Sequence, residues 1–541
     1  MILRLIILLL FSMPLAAQEH DHRTAPAEKL GTVRFSNSCG SAAKPAFTRA
    51  VALLHSFDFG RAVDGFNSAL KADPSCAMAQ WGIALSRWGN PFAAGLRPAS
   101  QLQLGQQAIA AATAPAAKTE RERGYIDAAA QLYTDYERRS QNDRVKAYRD
   151  AMAGLAARYP ADEEASIFYA LSLAFAADPA DKTYAAQLKA GAILEKLFAK
   201  RPDHPGLAHY VIHTYDVPSL ADHALEAARR YAKIAPSAPH ALHMPSHTFT
   251  RVGYWQESID TNIASAASAK LERTTAEELH ATDYQTYAYL QTAQDGAART
   301  LLDSLAEIAG RFDPTAVGGA APPVAGFFAL AAIPARYTLE RAAWADALAL
   351  RPKPSPFPHT EAMTYFARAL GAAHLRQTAP IREAIDALQQ IRDRLTQSHE
   401  DYWAEQVEIQ RRSASAWLAQ AEGRKGDAVS EMRAAAERED ATEKNSVTPG
   451  PLAPARELLA YMLLDNGEPA LALKEFEATM KKEPNRFRAL AGAAKAAAAS
   501  SDRGKAAGYY AQLLKVCARA DAGARPELAD ARAFVTRTSG R

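Results

Sequence analysis

Eight of the chain's fourteen histidines lie between residues 204 and 280: His204, His209, His213, His223, His240, His243, His247 and His280. Two segments concentrate them, HPGLAHYVIHTYD and PHALHMPSHTFTR. His209 and His213 are four residues apart, as are His243 and His247. On a helix each pair shares one face, with Cβ atoms about 5–6 Å apart. His240, three residues before His243, stays on that face. Imidazoles converging in this way form a donor set for a divalent transition metal, whether zinc, copper, iron or manganese. The alternative is a set of polar histidines that face water or a peptide carboxylate. No HExxH is present, so a zincin-type protease is not supported, and neither a GxSxG nor a glycine-rich phosphate loop appears.

The register between the pairs adds weight. His209 and His243 are 34 residues apart, and so are His213 and His247. Two equivalent pairs on successive repeats of that length would lie side by side, because packed helix axes run about 8–10 Å apart. Pro245 falls between His243 and His247 and perturbs the helix that must carry both.

The elements that position these residues read as helices throughout. Past residue 40, apolar residues recur at helical spacing and no stretch alternates with period two. Proline falls where helices must end, at Pro74, Pro202, Pro236 and Pro484. Lys plus Arg number 63 against 60 for Asp plus Glu, with no basic tract, so nucleic acid is not expected as a partner. At the N-terminus, Arg4 precedes an apolar run from Leu5 to Leu15 and then Ala16-Ala17. That is the pattern of a cleaved signal peptide over residues 1–17, too short to span a bilayer. A periplasmic or secreted protein without membrane insertion is expected. In an oxidising compartment, Cys39 and Cys76 flank the first helical hairpin and are expected to pair, leaving Cys517 in an apolar helix.

Residues 453–486, APARELLAYMLLDNGEPALALKEFEATMKKEPN, show Gly467 at a turn, Ala472 at a crossing, Phe476 between helices and Pro484 at the close. FDFGRAVDGFNSALKADP repeats the pattern with Ala62, Phe66, Ala69 and Pro74, and GYWQESIDTNIASA does so from Gly253. These units resemble the tetratricopeptide repeat (TPR) family, in an exported bacterial form, over most of residues 44–518. The resemblance implies an all-α, right-handed solenoid of about a dozen hairpins whose first helices line a concave groove. The expected organisation is an arm over 18–43, hairpins over 44–160, histidine-rich repeats over 161–310, degenerate hairpins over 311–445, clear repeats over 446–520 and a tail over 521–541.

In the family's register, three consecutive groove helices present Gly206/His209/His213, His240/His243/His247 and His280/Asp283/Tyr287. The expected ligands are therefore His209, His213, His240, His243, His247, His280 and Asp283, more than one ion needs. Tyr287 and Arg251 are the candidates to assist if the site is catalytic, as an oxidoreductase or a hydrolase. Glu443, Lys444 and Arg456 belong to a polar connector that could edge the groove. The family's default is different: a metal-free groove that binds a protein or peptide. His204 and His223 are expected at the surface, and His55, His359, His374 and His399 carry no assigned role.

Overall fold

The computed structural model describes residues 28–539 except 94, 115–118, 317 and 524. The proposed signal peptide lies outside the described residues. The fold is an all-α solenoid: helices follow one another from Lys44–His55 to Pro526–Ser539, and no strand occurs among the described residues. None of the described helices is long and apolar enough to cross a membrane.

Eight connections share one turn. At Phe57, Gly253, Ala293, Ala342, Arg376, Gly423, Gly467 and Ser501 the backbone enters the left-handed region, with φ between 52° and 83°. The next amide reaches back to the carbonyl five residues earlier in each case, as in Asp58 to Leu53, Tyr254 to Phe249 and Glu468 to Leu463, at 2.8–3.0 Å. This is a Schellman closure, which satisfies the last carbonyls of the first helix and reverses the chain. Helix crossings are equally repetitive. A Cβ on Gly82 would lie 2.2 Å from the Phe66 ring, and one on Gly492 would lie 2.2 Å from the Phe476 ring. Each buried phenylalanine therefore fills the space a side chain would take on the following helix.

Two large apolar cores result, one built mainly from residues 30–249 and one from residues 321–506. Cys39 and Cys76 are joined in a disulfide that ties the N-terminal arm to the helix beginning at Ala77. Contacts between distant hairpins draw the superhelix closed: Gly60 N donates to Gly318 O at 2.7 Å, and Trp255 Nε1 donates to Asn485 O at 2.9 Å. The segment 442–454 is tied to residues from both halves of the chain. Tyr284 donates to the carbonyls of Ser446 and Thr448, Arg336 donates to that of Gly450, and Ser446 reaches Phe92 O.

Candidate metal centre

Three helical segments bring the histidines together. Helix Pro205–Thr214 carries His209 and His213. Its first turn is set by Pro205 and capped by His204 Nδ1, which accepts from Leu207 N at 3.3 Å. The next segment breaks as Pro245 requires, into Pro239–His243 and Pro245–Arg251. Met244 at the junction keeps helical angles (φ −53°, ψ −36°), so the path continues and His243 still faces His247. Helix Thr275–Gln291 supplies His280.

The six histidines form two adjoining buried triads. His209, His213 and His240 each offer a ring nitrogen within 4.8 Å of the others, and so do His243, His247 and His280. Each triad joins an HxxxH pair to one histidine from the following helix. Nitrogens on one ion at about 2.0–2.1 Å stand roughly 3.3–3.5 Å apart, so the rings would have to draw together from the wider separations the triads allow. The triads touch: the His240 and His243 ring centroids are 6.1 Å apart, and those of His213 and His247 are 5.9 Å apart.

A second layer sets the tautomers. His209 Nδ1 donates to His55 O at 2.6 Å, leaving Nε2 free of any partner. His243 Nδ1 donates to Asn262 Oδ1 at 2.7 Å, and the amide is held in that sense because its Nδ2 donates to Ser258 O at 2.7 Å. His247 Nδ1 donates to Asp216 Oδ2 at 3.0 Å. Arg251 Nε and Lys444 Nζ hold the same carboxylate at 2.8 and 3.1 Å. Although burial opposes its ionisation, Lys444 and Arg251 keep the Asp216 carboxyl well below the usual range. Carbonyl, amide and carboxylate are the partners that orient metal-bound imidazoles.

With both Nδ1 atoms protonated, His243 Nε2 and His247 Nε2 face each other at 3.1 Å as two lone pairs. That contact is repulsive unless a cation sits with them. A proton is a poor occupant: burial pushes both rings below their ordinary range, His243 strongly so. Burial likewise pushes His209 and His280 down to about 3, so the cluster is neutral imidazole, the form that ligates. Around it, His209 Nε2, His213 Nε2, both nitrogens of His240 and His280 Nδ1 are buried with no hydrogen-bond partner. Orphaned buried groups at this density are rare in native proteins.

Other expected site residues sit elsewhere. Asp283 joins neither triad; its Oδ1 accepts from Arg336 Nε at 2.9 Å, one turn past His280 and turned toward the helix Pro323–Leu339. Tyr287 packs edge-on against Trp255, and its hydroxyl accepts from Arg486 at 3.0 Å. Arg251 positions Asp216 and reaches no ring nitrogen of the triads. Of the connector residues, Lys444 reaches Asp216, Glu443 binds Lys182 and Tyr184, and Arg456 pairs with Asp440 and Glu475.

Asp216, Asn262 and Tyr284 escaped sequence reasoning, since none carries a spacing signal. His204 and His55, expected at the surface or without role, are buried, and Glu164 bridges them with 3.0 Å contacts to each Nε2. In this third group every ring nitrogen has a partner, because Tyr210 and Leu207 serve the two Nδ1 atoms. It is a scaffold, and it places the His55 carbonyl under His209. Gly206 has to be glycine there, since a Cβ would come within 2.4 Å of His55 Nδ1.

No family model matches the sequence, and no curated protein matches it. Among solved structures, the human IFIT1 dimer with m7Gppp-AAAA is similar over 82% of this chain and 90% of that one, at 11% identity and a TM-score of 0.38. The P58(IPK) TPR domain is similar over 70% of this chain and 100% of its own, at 15% identity and a TM-score of 0.22. Neither likeness bears on the histidine cluster.

Proposed function

We propose that this chain is an exported helical-repeat protein that binds transition-metal ions at its two tri-histidine sites, for metal handling or metal-dependent chemistry. The observation that carries this is the His243–His247 contact: two imidazoles, each anchored through Nδ1, aim their lone pairs at one point. A metal ion there relieves that repulsion, and a second ion in the neighbouring triad would satisfy its orphaned nitrogens. A donor set of imidazoles favours zinc or copper over magnesium, calcium or manganese, which prefer oxygen. The N-terminal signal pattern and the Cys39–Cys76 disulfide support an oxidising compartment.

The test is elemental analysis of protein expressed with its leader, followed by thermal unfolding with added zinc or copper. Bound metal that is lost in the His209→Ala/His243→Ala double variant supports the proposal. Metal-free protein whose melting temperature ignores both ions overturns it in favour of a metal-free scaffold for a protein or peptide.

A further inference from the structure

We infer that the two triads hold a pair of cuprous ions and that the cavity between them takes dioxygen; this rests on the metal-binding proposal above. The two sites are built alike and cannot be far apart. Helix Pro239–His243 sends His240 to one triad and His243 to the other. Three imidazoles leave each ion an open position. Rings of the two triads face each other across the junction with centroids 5.9 and 6.1 Å apart, so ions held there would be close enough for one small molecule to reach both.

A cavity of about 20 Å³ lies at that junction, lined by His213 and His240 of one triad and by His247 and His280 of the other. This exceeds what one water needs and leaves room for a guest of two or three atoms at most. Its remaining wall is largely apolar, with Ala321 and Trp403 among its members, and no carboxylate lines it. An apolar diatomic molecule suits this wall better than an ionised ligand does.

Charge selects the ion. All six ligands are neutral. Of the nearby carboxylates, Asp216 is held by both Arg251 and Lys444, Asp283 is paired with Arg336, and Glu277 (3.9 Å from His240 Nδ1) accepts from Ala321 N, so cations and carboxylates balance in number. The surroundings therefore bring no net negative charge to offset an ion. The cost of burying an ion rises with the square of its charge, so two divalent ions are penalised far more than two monovalent ones. Among the metals that imidazole suits, copper has the accessible monovalent state. When dioxygen enters, each cuprous ion gives up one electron and forms one bond to oxygen. The O–O bond is weakened but not broken, no proton or leaving group is required, and the dianion offsets the charge gained by the two cupric ions. The site's total charge is unchanged, and release of dioxygen returns both electrons.

The test loads the full chain with cuprous ion anaerobically, counts copper per chain and then admits dioxygen. The expected result is two copper ions per chain and a strong near-ultraviolet charge-transfer band on aeration. The coupled cupric pair should be silent in electron paramagnetic resonance, and deoxygenation should reverse the band. A single copper per chain, or two coppers that oxidise to independent paramagnetic ions, overturns the inference while leaving metal binding intact. No copper or zinc bound under any condition overturns the proposed function itself. Ala321→Val narrows the cavity at a wall residue that is not itself a ligand: it should keep both coppers and lose the band at least tenfold. An undiminished band in that variant also overturns the inference.

Discussion

Asn262 offers a way to weaken the centre without removing a ligand. Its Oδ1 accepts from His243 Nδ1 at 2.7 Å, and this bond keeps the Nε2 lone pair directed at the proposed ion. In Asn262→Ala the buried Nδ1–H has no acceptor, which costs about 1–3 kcal/mol. The apo protein has an escape: the proton moves to Nε2 and donates across the 3.1 Å gap to His247 Nε2. The metal-bound protein has none, because the ion needs that lone pair. The penalty therefore falls mainly on the bound state. A cost of about 2 kcal/mol corresponds to roughly a 30-fold loss of affinity, inside the 10–100-fold range usual for such supporting residues. Competition against a chromophoric chelator measures the affinity, and nitrogen-15 spectra of labelled histidine report the tautomer. Wild-type apoprotein should show Nδ1–H on His243, and Asn262→Ala should show Nε2–H. Equal affinities in the two proteins, or Nε2–H on His243 in the wild type, would refute the reasoning.

Three further outcomes follow from other parts of the molecule. Gly206→Ala pushes a Cβ into the His55 ring, so it should lower unfolding stability by about 1–3 kcal/mol and weaken metal binding through the His55 carbonyl under His209; calorimetry and chelator competition check both. Replacing Cys39 and Cys76 with serine should cost about 3–4 kcal/mol in a chain-entropy account, read from urea unfolding under non-reducing conditions. His359, stacked on Trp403 at 3.8 Å, is pushed down to about 3 by burial, so below pH 6.5 the unfolded chain takes up a proton that the folded one refuses. That stability is present above pH 6.5 and is lost as pH falls, by about 2–3 kcal/mol at pH 4.5. His359→Phe should flatten the slope of stability against pH between 6.5 and 4.5.

The hairpin turns show why some repeats are plain in the sequence and others are hidden. Each turn needs one residue with positive φ, and glycine meets that need without strain. Gly253 and Gly467 therefore advertise their hairpins. Phe57, Ala293, Ala342, Arg376 and Ser501 adopt the same angles with no glycine to mark them, at a cost of about 1–2 kcal/mol each that neighbouring packing repays. Helical periodicity is enough to place those helices but not to show that their connections are equivalent. The closure of the solenoid is less legible still. It depends on backbone contacts such as Gly60 with Gly318, which join residues far apart in sequence and leave no periodic trace.

The histidine cluster divides along the same line. Histidine positions imposed by helical geometry are visible, because spacings of four and of 34 put the His209/His213 and His243/His247 pairs on adjoining helices; the spacing does not show that each pair joins a different triad. Asp283 fails because the register predicts a face and not a rotation within it. Three residues past His280 is far enough round the helix for its carboxylate to meet Arg336 instead of a histidine. His55 and Glu164 were invisible for a different reason: they act at one remove, through a backbone carbonyl, and nothing in their own segments distinguishes them from ordinary polar residues. Asp216 and Asn262 belong with them. A tautomer is fixed by whichever group the fold happens to bring within 3 Å of Nδ1, and amide, carboxylate and main-chain oxygen all do so here for different histidines. Spacing thus encodes where histidines converge, whereas the partners that fix their tautomers emerge only from tertiary packing.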